Sequence, residues 1–180
     1  PVEYEDDDSI YWAYVTWSSD ETEYDGLLPY YYLFAGFDFM DEDVSGSDIN
    51  ASTYIHETGH LLGLDDYYDY YEGEGSDMGL GGADMMDYTV GDQNVYSKTM
   101  LGWITPNVVT ESGSYTLAPS QDGGDCIMLL LDYDGSYFSE YLLIDLYTST
   151  GLNYGHSNNL YDGASYGVRI YHVDSTIENP

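Results

Sequence analysis

The segment Ala51-Ser52-Thr53-Tyr54-Ile55-His56-Glu57-Thr58-Gly59-His60-Leu61-Leu62-Gly63-Leu64-Asp65-Asp66 decides how the chain is read. Ser47-Asp48-Ile49-Asn50 ahead of it offers helix caps, no proline interrupts it, and apolar positions recur at 54, 55, 58, 61 and 62. That pattern predicts a helix over Ala51–Leu64, stopped by Gly63. On a helix, residues i and i+4 share a face, so His56 and His60 point the same way and can hold one metal ion. Glu57, about 100° round the helix from His56, reaches a water on that metal rather than the metal itself.

Three protein ligands with an open fourth position make a catalytic zinc arrangement. Gly63 lets the chain turn sharply out of the helix, and Asp66, six residues after His60, returns as the third ligand. Asp65 competes with it from one position away, and the spacing favours Asp66. With 4 His and 11 Glu in the chain, a chance match to His-Glu-x-x-His has a probability of roughly 0.005. A buried helix with incidental histidines is therefore the weaker reading.

Downstream, Gly81-Gly82-Ala83-Asp84-Met85-Met86-Asp87-Tyr88 is placed to form the methionine-containing turn that underlies zinc sites with this extended motif. Met86 is the expected methionine, with Met85 as the alternative. Tyr88 is then positioned to aim a phenol at the metal or at a tetrahedral intermediate.

The zinc helix, this turn and Tyr96-Ser97-Lys98-Thr99-Met100-Leu101-Gly102-Trp103 together resemble the immune inhibitor A-type metallopeptidases, secreted bacterial zinc endopeptidases with a metzincin-like catalytic domain. The likeness continues through Glu140-Tyr141-Leu142-Leu143-Ile144 and Gly167-Val168-Arg169-Ile170-Tyr171-His172-Val173-Asp174, and spans roughly residues 30–174. It implies zinc ligation by His56, His60 and Asp66, a general base at Glu57, a protein or peptide substrate and an extracellular location. Asp65 stands where the family usually has proline. Asp145-Leu146-Tyr147 replaces its Glu-Asn-Arg, an exchange expected to remove a buried charged cluster from the back half. The 55 residues before His56 are few for the sheet and backing helix of such domains. An N-terminally incomplete catalytic domain is therefore expected.

Outward from the motif, the expected class is α+β. Strands are predicted at Ile10–Trp17 and at Tyr30–Phe39, the latter apolar on both faces and so expected to be covered on both sides. A short helix is expected over Gln93–Leu101, capped by Asp92. After Pro106 the texture turns β-rich: Ser114–Leu117, Cys126–Tyr133, Ser136–Tyr147 and Gly167–Val173 read as strands, with Asp134-Gly135 as a type I′ hairpin turn. This shift suggests a catalytic region over 1–105 and a sandwich-like region over 106–180.

Composition narrows the rest. The chain has 34 Asp+Glu against 2 Lys+Arg, a formal charge of −32, which argues against nucleic acid and anionic membrane surfaces as partners. No apolar run is long enough to span a membrane. Pro1-Val2-Glu3-Tyr4 lacks a signal-peptide pattern and an initiator Met, so a processed or excised segment is expected. Calcium is a second expected cation. Asp41, Asp43 and Ser45 match the first half of a calcium loop, although its twelfth position is Ser52 rather than Glu. Asp77 and Asp84 are further candidate ligands in the acidic stretch 65–92. His156 is expected at the surface, and His172 half-buried in the core. Cys126 reads as a small buried hydrophobe. The rival to an endopeptidase is a noncatalytic metal-binding or adhesion module that keeps a peptidase fold.

Overall fold

A computed structural model describes residues 12–36, 39, 50–68, 79–80, 82–89, 91–132, 134–154 and 166–175. The chain is mixed α+β, with few helices and two sheets among these residues, and forms two compact units, Pro1–Asp66 and Tyr67–Pro180. The division falls ahead of the Pro106 change in texture, because Val95 and Ile104 join the core of the back half's sheet.

In the first unit, β1 (Tyr14–Trp17) and β2 (Tyr31–Phe34) pair antiparallel, with Tyr14 opposite Phe34 and Trp17 opposite Tyr31. Between them Tyr24 and Leu27 exchange backbone hydrogen bonds around Asp25 and Gly26, both with positive φ. Asp-Gly tolerates this left-handed pair of conformations, which matches the twist of the flanking strands. Tyr31, Tyr32 and Phe34 are exposed, so β2 is not covered on both sides as its composition had suggested. Helix α1 (Ser52–Leu61) follows. Its Tyr54 hydroxyl donates to Gly36 O at 2.8 Å, fastening it to the chain beyond β2.

The second unit holds α2 (Met85–Tyr88), α3 (Val95–Met100) and a four-stranded sheet in the order β3 (Asn107–Val109), β4 (Cys126–Asp132), β5 (Glu140–Thr148) and β6 (Tyr166–Asp174). β3 runs parallel to β4, and the other pairs are antiparallel. Alternate strand residues face one core: Cys126, Met128, Tyr141 and Leu143 pack with Val95 of α3 and with Ile104. Among the described residues of this unit there is one sheet rather than a sandwich. Residues 114–117 are not a strand, and Asn107–Val109 supplies the extra strand instead. Asp134-Gly135 sits inside a wider connection between β4 and β5. There Asp134 accepts from Ser136 N, and Gly135 has φ +100°.

The cap of α3 also differs from expectation. Asn94, not Asp92, accepts from Tyr96 N and Ser97 N, while Asp92 pairs with Lys98. Lys98 also donates to Ser120 O, and Arg169 holds Asp145 at 3.0 Å, so both basic side chains of the molecule are tied to carboxylates. Asp145 is fully buried, with the Arg169 guanidinium lying over the Tyr147 ring. A buried charged cluster therefore persists despite the Asp-Leu-Tyr exchange. Its charge partners are Asp145 and Arg169, from neighbouring strands.

Candidate metal centre

Helix α1 ends in a Schellman motif: Leu64 N donates to Gly59 O and Gly63 N to His60 O, with Gly63 at φ +96°. Glycine suits the reversal because a Cβ is disfavoured at that φ. The reversal has a chemical consequence. It brings the Leu64 carbonyl to 2.8 Å from His60 Nδ1, which donates to it, leaving Nε2 as the nitrogen available for ligation. Two residues later the chain delivers Asp66.

His56 Nε2 lies 3.0 Å and His60 Nε2 3.2 Å from the same oxygen, Asp66 Oδ1. The two rings are nearly perpendicular, with centroids 4.9 Å apart. All three ligand atoms fall within 4.8 Å of one another. Tetrahedral zinc with ligands at about 2.0–2.1 Å separates them by about 3.3 Å, so the two histidine–aspartate distances suit such an ion. Asp65 is exposed, which decides between the two adjacent carboxylates.

Glu57 is buried beside this group, and its Oε2 has no hydrogen-bond partner among the described residues. A buried, unsatisfied carboxylate oxygen is costly unless something outside the protein chain meets it. Burial pushes the Glu57 carboxyl above its usual pKa, opposed by His56 and His60. The Asp66 carboxylate raises His60 to about 9 against the opposing effect of burial, as fits an imidazole held next to an anion. The donor set, its spacing and the unmet Glu57 oxygen fit a zinc ion.

No family model matches the chain, and no curated protein or solved structure matches it either.

Met85 and Met86 are both buried in the second unit, and Tyr67 N donates to Met86 O at 2.9 Å. Tyr88 is the last residue of α2. Asp84, a candidate calcium ligand, has both carboxylate oxygens engaged by the chain itself. It is fully buried, Oδ1 accepts from Met86 N, and Oδ2 accepts from Asn94 N and Ser97 Oγ, so it caps α2 and anchors the start of α3. Asp41, Asp43, Ser45, Asp77 and His156 lie outside the described residues. His172 is exposed rather than part of the core, with 55% of its side chain open to solvent, and pairs with Glu140. Cys126 is buried as expected.

Sequence reading passed over the Leu64 carbonyl, the Asp84 hub and the Asp145–Arg169 pair. A signal existed for the last: in a chain with two basic residues, each is expected to have a carboxylate partner.

Proposed function

We propose that this chain is the catalytic region of a zinc-dependent endopeptidase. The observation that carries this reading is the convergence of two imidazole Nε2 atoms on one Asp66 oxygen, with the buried Glu57 carboxyl alongside.

His56, His60 and Asp66 are the residues that would hold the zinc. When bound, the ion supplies Lewis acidity to the scissile carbonyl and to water. Glu57 takes a proton from the attacking water and passes it to the leaving amine, and its burial suits a base that must release that proton again. By the family resemblance, Tyr88 is proposed as the oxyanion donor and Met86 as the methionine of the turn. A metzincin-like arrangement, a protein or peptide substrate and an extracellular setting belong to the same reading. No helix among the described residues is long and apolar enough to cross a membrane.

The test is Glu57→Ala assayed on casein alongside zinc analysis. Hydrolysis in the parent protein is expected to be chelator-sensitive and to fall by about 10²–10⁴-fold in the variant, with zinc still bound. Undiminished hydrolysis in Glu57→Ala would remove the mechanism. Zinc binding with no hydrolysis by the parent would favour the noncatalytic module.

A further inference from the structure

A second set of metal-ligating side chains stands at one end of the β5–β6 ladder. His172 and Asp174 are two residues apart on β6 and so share a face of the sheet. Glu140, the first residue of β5, is the register partner of Asp174. One donor atom from each of the three lies within 4.8 Å of the others, and His172 Nε2 is 3.0 Å from Glu140 Oε1. None of them belongs to the His56–His60–Asp66 group.

Glu140 and Asp174 stand directly opposite on an antiparallel pair, where like charges disfavour each other and a shared cation is stabilising. No lysine or arginine is available for that purpose: Lys98 is engaged by Asp92 and Ser120 O, and Arg169 by Asp145 and Ala83 O. The imidazole adds a nitrogen donor to the two oxygens, a mixed set that suits first-row divalent metals better than calcium, which takes oxygen alone. The supports are rigid. Both strands pair along their full length, and Ser175 N donates to Ser139 O just past the cluster. His172 and Glu140 are open enough to solvent for water to complete the coordination.

We propose that Glu140, His172 and Asp174 bind a divalent transition-metal ion of the zinc class, in addition to the ion held by α1. The site does not depend on the peptidase reading.

The experiment is calorimetric titration of metal-free protein with Zn²⁺, comparing the parent chain with His172→Gln, Asp174→Asn and His56→Gln/His60→Gln. The parent is expected to bind two equivalents. His172→Gln, at an exposed position, is expected to lose one, Asp174→Asn to weaken the same one, and the double variant to retain it. Co²⁺ provides a second readout, since one equivalent added to the double variant should broaden the His172 ring resonances. Equal stoichiometry and affinity in His172→Gln and the parent would overturn the proposal. So would a double variant that binds no Zn²⁺ and leaves the His172 resonances unmoved by Co²⁺.

Discussion

At positions 65 and 66 two neighbouring carboxylates stand in opposite surroundings: Asp65 is exposed, whereas Asp66 Oδ1 is shared by two imidazoles at 3.0 Å and 3.2 Å. Asp66→Ala should therefore weaken zinc binding by at least about 100-fold, while Asp65→Ala should leave it within error, as a competitive zinc-chelator titration would measure. Cys126 makes the complementary case of a group kept inert by its surroundings. Burial, reinforced by the negative charge of Asp145, raises its thiol from 9.0 to about 12. The folded thiol thus holds its proton where the unfolded one has lost it. Its contribution to stability is whole below pH 9 and is lost as the pH climbs through about 12. A disulfide reagent at pH 8.5 should label it only after unfolding, and prompt labelling of the native protein would contradict the assignment.

Elements were legible where short-range chemistry decides them. The α1 helix lies within its predicted span, because apolar spacing and a glycine stop act over a few residues. The α3 helix was also legible, but not its cap. Asp92 and Asn94 both have capping side chains, and Asp92 was drawn away by Lys98, one of only two basic residues. Asn94→Ala should cost about 1 kcal/mol for the lost bonds to Tyr96 N and Ser97 N, measured by urea unfolding. A change no larger than that of an exposed loop substitution would show the cap to be dispensable. The two Asp-Gly pairs carry the same lesson. The tight turn forms at Asp25-Gly26, while Asp134-Gly135 is absorbed into a longer connection, a choice made by strand register and not by the dipeptide.

On the scale of the whole molecule, a charge of −32 makes every positive group consequential. The Asp145–Arg169 pair joins β5 to β6, with Asp145 accepting from Ser120 Oγ and Arg169 donating to Ala83 O. Asp145→Ala should destabilise the fold by about 3–5 kcal/mol by leaving the guanidinium buried without its partner. Asp145→Leu combined with Arg169→Met should cost less than the single change, since neither charge remains. Denaturant unfolding of the three proteins checks this, and a double variant weaker than Asp145→Ala would refute it.

The sequence by itself determined the α+β class, the helix bearing His56 and His60, and the charge of −32. Each of these follows from spacing along a few residues or from a sum over the whole chain. Only the tertiary structure decided that Asp66 rather than Asp65 meets the imidazoles, that Leu64 O orients His60, that Asp84 caps α2, and that Glu140 joins His172 and Asp174. Those facts depend on which residues a glycine reversal or a strand register brings within about 3 Å of each other, the distance over which hydrogen bonds and ligation act. Residues 140 and 174 are far apart in the chain, and the β5–β6 pairing alone makes them neighbours.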